Sequence, residues 1–353
     1  MVISRTPFRI SFFGGGTDYP SWYRKHGGQV LASSINKYCY ISCRYLPPFF
    51  EHRLRVVYSL IEDCQNYEEI KHPAVRETLR FLQLERGLEI HHDGDLPARS
   101  GMGSSSSFTV GLLNALYALI NVMASKHQLA MESIHIEQDM IRETVGSQDQ
   151  VSAAYGGLNQ IVFSPGGEIT VKPVTISYER LEKLGSHVML FYTGIKRTAS
   201  DVAKSYVADI EDKADLLEAM DGMVDEALRI LCGNGCLCKF GELLHEAWLL
   251  KRDLSSQVSN HELDGYYASA RAHGAIGGKI MGAGGGGFLM LFVPPEAQEQ
   301  VRLALKELLH VPVQFESSGT QIIFYGPSKE DFAALDRQRT ITSIKPFREF
   351  LSS

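Results

Sequence analysis

The 353-residue chain predicts an α+β fold. Its strands come in runs, a long stretch over about 201–273 is mostly helical, and the strict strand–helix alternation of a doubly wound sheet is missing. Hydrophobic residues make up 44% of the chain and charged residues 22%, enough apolar material for a sizeable core.

Strands open the chain. Thr6 to Phe13 alternates, as does KYCYISCRYL (37–46), and LRVVYSL and LEIHHD (88–93) follow. Apolar residues at helical spacing then predict helices over Ser105–Met123 and Glu132–Thr144. GLNQIVF (157–163), EITVKPV (168–174) and HVMLFY (187–192) return to strand. After the helical stretch, KIMGAGGGGFLMLFV reads as strand, glycine loop, strand. A helix over 296–309 and strands near 311–316 and 320–325 close the fold, with a seam placed after Tyr192.

Bulk properties exclude several classes of function. A net charge of −6 gives no broad attraction to nucleic acid or to an anionic membrane. Arg5 and Arg9 interrupt the apolar N-terminus and no 18-residue apolar run exists, which predicts a cytoplasmic protein with no signal peptide or span. Six cysteines are too sparse for a disulfide framework. Cys232, Cys236 and Cys238 in CGNGCLC fit no standard zinc spacing and predict reduced thiols around a turn.

Chemistry concentrates where glycine does. In ARSGMGSSSSFTVGLLNAL (98–116), flexible residues and four serines stand at the mouth of an apolar helix. A helix start carries unpaired N–H groups and about half a positive charge. Glycines before it let main-chain amides approach an anion. Gly101, Met102 and Gly103 with Ser104, Ser105, Ser106 and Ser107 therefore predict a phosphate cradle, and a serine hydroxyl there reaches a magnesium ion on the phosphates. No lysine occurs between Lys71 and Lys126, so this is not a Walker A loop.

Two further glycine turns stand out. RTPFRISFFGGGTDY (5–19) ends a strand and presents Thr17 and Asp18, where a simple turn and a carboxylate for paired sugar hydroxyls both fit. GAGGGGF (282–288) between two apolar strands predicts close approach of backbone to a ligand or to the first glycine loop. Glu137, Glu143 and Asp149 offer carboxylates for acid–base work and metal binding, although the break at Gly146 leaves open whether they share a face.

These three regions, in this order, resemble the three motifs of the GHMP small-molecule kinases, which include galactokinase, homoserine kinase, mevalonate kinase and phosphomevalonate kinase. RTPFRISFFGGGTDY is similar to the first motif, LPARSGMGSSSS to the second and KIMGAGGGGF to the third. Gly-x-Gln-Asp-Gln at 146–150 and Thr-Gly-x-x-Arg at 193–197 are most similar to the sugar-1-kinase branch that takes a heptose 7-phosphate. Galactokinases carry Glu-His where this chain has Gly15 and Gly16, and the missing side chains leave room for a longer, phosphorylated sugar. Met102 for leucine, and Ser106 and Ser107 for alanines, are small departures.

The resemblance implies a two-domain α+β fold: an ATP-binding domain over 1–190, a ferredoxin-like domain over 191–330, a tail over 331–353, and an active site in the cleft between the domains. It implies ATP and Mg2+, with Ser105 and Glu137 sharing the metal. Asp149 is implied as base or orienter of the sugar hydroxyl, and Arg9 as the cation that polarises it. Asp18 is implied at the sugar, with Thr17, Gly16, Gly284 and Gly285 beside it and Arg197 on the sugar phosphate. An aspartate held by an arginine is a weak base, so its help is late in the reaction or orientational. Partners are small molecules, and both a monomer and a homodimer fit. An L-fucose or galactose kinase, or an inactive nucleotide-binding regulator on the same fold, are the rival expectations.

Overall fold

A computed structural model describes residues 1–195, 199–327 and 332, apart from the side chains of 199–201. Its first sheet is organised by two long strands, β1 (Val2–Phe13) and β2 (Gly28–Tyr45), joined through a short helix α1 (Pro20–His26). At about 3.3 Å per residue, the 18-residue β2 is long enough to carry two partners on one edge. Cys39–Tyr45 pairs antiparallel with β5 (Leu88–Gly94), and Gly28–Ser33 pairs with β6 (Leu158–Phe163). β3 (Leu54–Val57) and β4 (Ile61–Cys64) extend the sheet beyond β5, ahead of α2 (Pro73–Phe81), while β7 (Ile169–Pro173) extends it beyond β6.

Helix α3 (Ser104–Leu119) lies on β1 and β2. It is apolar nearly all round and 12 of its residues are buried, which is the pattern of a core helix rather than a surface one. Its backbone sits close to the sheet at Gly111, where an added Cβ would meet Thr6 Oγ1 at 2.7 Å. The Ser4 hydroxyl donates to Gly111 O at 2.7 Å and Ser107 Oγ donates to Pro7 O at 2.9 Å. The mouth of α3 is thereby fixed against β1, the strand that carries Arg9.

The helix expected over 132–144 is broken. α4 (Lys126–His135) runs into a π-helical turn, Ile136–Met140, and Arg142, with φ of 64°, ends the helical path. A separate helix α5 (Gln148–Tyr155) follows. π-turns concentrate at functional sites, and this one holds Glu137.

A second sheet, with order β11-β8-β10-β9, is antiparallel throughout. It comprises β8 (Val188–Tyr192) after α6 (Tyr178–Ser186), β9 (Gly277–Ile280), β10 (Phe288–Phe292) and β11 (Leu309–His310). Between β8 and β9 run α7 (Ala199–Val207), α8 (Ala214–Cys232), α9 (Cys238–Asp253) and α10 (His261–Ala272), and α11 (Gln298–Ala304) precedes β11. Phe240 of α9 meets Phe12 and Phe13 of β1 edge-on at 5.4 and 5.1 Å, tying the two layers together.

Two boundaries differ from the expectation. The 190/191 seam falls inside β8, whose five residues all pair with the second sheet. The chain also returns to the first sheet late, because β12 (Phe315–Glu316) pairs with β2 and β13 (Gln321–Tyr325) with β1. Residues 315–325 thus belong with the N-terminal layer. Most of the 331–353 tail lies outside the described residues. Cys236 and Cys238 are joined in a disulfide, where the sequence reading has reduced thiols, while Cys232 is free and exposed. Among the described residues no helix is long and apolar enough to cross a membrane.

Candidate active site

One cleft between the two layers gathers the chemistry. Its wall is the start of α3. Gly101 and Gly103 have φ of 80° and 75°, the left-handed region in which glycine costs least. A Cβ on Gly101 would lie 2.6 Å from Met281 O, and one on Gly103 would be 3.4 Å from the Asp149 carboxylate. No side chain caps α3, so its leading amides are left to the cleft lined by Ser104, Ser105 and Ser106. The cradle fits a polyphosphate: bare backbone, a helix start and hydroxyls, with no acidic side chain among its residues.

Opposite it stands an ion pair. Arg9, 4% exposed, donates from Nε to Asp149 Oδ1 at 2.7 Å and from Nη2 to Oδ2 at 2.8 Å. Its third arm, Nη1, donates to Gly101 O at 2.8 Å. One guanidinium therefore fixes the Asp149 carboxylate and the phosphate loop relative to each other, in the bidentate geometry that makes such pairs strong. Asp149 is in the first turn of α5, where the helix dipole favours a negative charge.

Asp18 is fully buried at the far end. Burial pushes its pKa up, against hydrogen bonds from Gly16 and Gln148, and the negative charge of Asp149 adds to the rise. The Gly16 N–H donates to Oδ1 at 3.0 Å. Gly146 packs directly on this carboxylate, since a Cβ there would fall 1.9 Å from Oδ2. Beside Gly15, Ser11 Oγ and Gln148 Oε1 are buried without a hydrogen-bond partner, and both residues line the cleft. Buried polar atoms normally find partners, so this end is shaped for a ligand rich in hydroxyls.

Other expected residues sit elsewhere. The hydroxyl on Glu137 is that of Ser106, donating to Oε2 at 2.9 Å, not that of Ser105. One residue along a helix is a turn of about 100°, and it leaves Ser105 exposed on the cleft face. Glu137 also accepts from Thr109 Oγ1 at 2.7 Å and from Gln150 Nε2. Its burial lifts its pKa to about 7 despite these three donors. Of the cradle residues, Met102 is fully buried and Ser107 is spent on Pro7. Thr17 closes its own turn, donating to Gly14 O at 2.8 Å and Gln29 O at 3.0 Å. Gly284 and Gly285 pack on Val258, the Gly285 N–H donating to Val258 O at 2.8 Å, and it is Gly282 and Ala283 that face the cleft. Arg197 lies outside the described residues. The glycine run does approach the first glycine loop, because a Cβ on Gly282 would lie 2.7 Å from Gly101 Cα.

Among the cleft residues that escaped the sequence reading are Tyr19, Tyr206, Lys251 and Lys279. The Tyr19 and Tyr206 hydroxyls meet at 3.2 Å across the two layers. Lys251 (α9) and Lys279 (β9) are buried lysines on ordinary-looking elements, and only their side-by-side placement in the fold gives them a signal. Burial lowers Lys251 to a pKa of about 7, with Arg9 lowering it further and Asp18 and Asp149 opposing. Lys279 is lowered as well, by burial and then by Lys251 and Arg9.

A test of stability follows from Lys251. Its folded pKa lies below the unfolded value of 10.5, so its charge opposes folding fully below about pH 7 and ceases to do so above the unfolded value. Lys251→Met should raise Tm at pH 7 by about 2–5 °C, with a smaller gain at pH 9.5. Calorimetry showing no gain at pH 7, or a larger one at pH 9.5, would contradict the burial of this charge.

Comparisons with known proteins identify the family. The model of the GHMP kinase N-terminal domain matches residues 69–157, and that of the GHMP kinase C-terminal domain matches 226–311. The chain belongs to the GHMP kinases. As a GHMP kinase it is a phosphotransferase with an alcohol group as acceptor. It is 27% identical over 322 residues to a D-glycero-alpha-D-manno-heptose 7-phosphate kinase of Campylobacter jejuni, covering 87% of this chain and 93% of that one. It is 29% identical over 338 residues to a mevalonate kinase of Pyrococcus horikoshii, with 88% and 94% covered. A crystal structure described as a D-glycero-D-manno-heptose 1-phosphate kinase from Bacteroides thetaiotaomicron shares the fold, with a TM-score of 0.75, 22% identity, and 92% and 100% of the two chains covered.

Proposed function

We propose that this GHMP kinase transfers the terminal phosphoryl group of ATP to the anomeric hydroxyl of a sugar phosphate, with D-glycero-D-manno-heptose 7-phosphate as acceptor and the 1,7-bisphosphate as product. The observation that carries the proposal is the polar end of the cleft. Asp18 is buried there, Ser11 Oγ and Gln148 Oε1 lack partners, and Gly15 and Gly16 line the cleft beside them without side chains. A polyol satisfies such atoms. The Campylobacter jejuni relative, and the Thr-Gly-x-x-Arg segment at 193–197, support the heptose phosphate over a free hexose.

In this reading the amides at Gly101–Ser106 hold the nucleotide's phosphates. Asp18 takes paired sugar hydroxyls and turns the anomeric one towards Asp149. Asp149 orients that hydroxyl and receives its proton as the bond to phosphorus forms. Arg9 holds the carboxylate in place. Phosphoryl transfer leaves a protein little covalent work, so these positioning and charge effects supply most of the barrier reduction. Ser105 and Ser106 line the cleft as oxygen donors for Mg2+, with the Glu137 carboxylate buried behind the Ser106 hydroxyl; Mg2+ is a hard ion that takes one or two carboxylates together with phosphates and water. When bound, it neutralises charge on the β- and γ-phosphates.

Release of ADP from ATP–Mg2+, measured against a panel of sugars and sugar phosphates, tests the proposal. The heptose 7-phosphate should show the highest kcat/KM. A higher value for L-fucose or galactose would move the assignment to that sugar, and nucleotide binding without turnover on any of them would overturn it. Arg197→Ala should raise KM about tenfold for the phosphorylated acceptor and leave a free sugar nearly unaffected. Equal effects on both would remove Arg197 from the phosphate.

A further inference from the structure

The cradle has no Walker A lysine, and of the two arginines that line the cleft Arg9 is already committed, while Arg99 is exposed and acts on Glu143. Both oxygens of Asp149 take up two arms of Arg9, and Gly101 O takes the third. Two buried lysines from the other layer, Lys251 and Lys279, line the same cleft.

Of the two, Lys251 is in place to meet a transferred phosphoryl group. Its ammonium lines the cleft and donates to Gly282 O and, at 3.3 Å, to Ile280 O. Gly282 is the residue pressed against Gly101, so the ammonium stands directly behind the start of the phosphate loop. Arg9, Asp18 and Asp149, which line the same cleft, all act on it electrostatically. Lys279, whose Nζ donates to Phe12 O at 3.0 Å, is close enough to act on it electrostatically. Among the described residues neither lysine has a carboxylate within ion-pair distance. A buried cation satisfied only by carbonyls is a costly arrangement for folding. An anion entering the cleft removes that cost, and the ammonium's third N–H is free to meet it.

We infer that Lys251 is a catalytic residue of this kinase: from α9, on the opposite side from the start of α3, it contacts the phosphoryl group in transfer and balances the charge on its oxygens. No atom of Lys251 is consumed. The bond from phosphorus to the bridging oxygen breaks towards ADP, the bond to the acceptor oxygen forms, and the acceptor proton goes to Asp149 as before. The inference rests on the nucleotide placement at Gly101–Ser106 and not on which sugar accepts.

Titration calorimetry with Mg2+ and two probes, ADP and the β,γ-imido analogue of ATP, tests this on the full-length protein without any acceptor. Lys251→Met should weaken the imido analogue at least tenfold while leaving ADP within about threefold, because only the analogue carries the third phosphate. With the acceptor that the wild type turns over best, kcat should fall at least 10²-fold while KM for the acceptor moves little. Lys251→Gln, which keeps a hydrogen-bond donor but no charge, should show the same split and stands in if the Met variant does not fold. Equal loss for both nucleotides, or no loss for either, would overturn the inference. So would a loss confined to the KM of a phosphorylated acceptor, which would place Lys251 on the acceptor's own phosphate instead. A wild type inactive on every sugar would end the functional proposal and leave the two-nucleotide comparison intact.

Discussion

Asp149→Asn should lower kcat by about 10²-fold or more, the usual scale for loss of a proton-accepting or orienting group, with the Kd for ATP within about threefold of wild type. The substitution conserves shape and removes charge. It also sets an amide NH2 against one of the two Arg9 donors that now reach Oδ1 and Oδ2 at 2.7 and 2.8 Å. Arg9 keeps its bond to Gly101 O, so the cradle stays anchored from that side. Steady-state kinetics with a parallel binding titration separates the two effects. Near-normal turnover would take Asp149 out of the reaction, and loss of ATP binding in step with turnover would make it a structural support of the loop.

Asp18→Ala carries the second large effect, on the other substrate. The carboxylate fills the space that Gly146 leaves open, and burial holds its pKa above that of an ordinary aspartate. Its removal takes away a buried charge, so the fold should survive, but the sugar end loses its only carboxylate among the described lining residues near Gly16. KM for the acceptor should rise at least 10-fold to 10²-fold, the cost of leaving sugar hydroxyls unpaired in a closed site, while KM for ATP stays nearly constant. A change in the ATP constant alone would show that the sugar lies elsewhere.

Much of this site was legible in the sequence. Glycines and serines at the start of an apolar helix announce an anion cradle, and both Gly101 and Gly103 have the positive φ that makes them glycine. The Asp149–Arg9 pairing was legible only through the order of the motifs, since 140 residues separate the two in the chain. What escaped has physical causes. Strand and helix periodicity gives no hint that Ser106, one residue's rotation from Ser105, is the serine that bonds Glu137. The π-turn at 136–140 keeps the apolar spacing of a helix while ending it, so the predicted helix ran on to Thr144. The third glycine run reads as an approach to a ligand or to the first glycine loop; Gly282 makes the approach to that loop, while Gly284 is glycine because Val258 crosses it. Lys251 sits on an amphipathic helix whose pattern makes it one solvated charge among several. Only the packing of α9 under Gly282 buries it.

The account stands or falls on where the nucleotide's phosphates lie. A crystal structure of the wild-type protein with Mg2+ and the β,γ-imido analogue of ATP should place the β- and γ-phosphates on the amides of Gly103–Ser106, with the terminal phosphorus facing the Arg9–Asp149 pair. Phosphates bound anywhere else, or an Asp149 carboxylate turned out of the cleft in that complex, would contradict it.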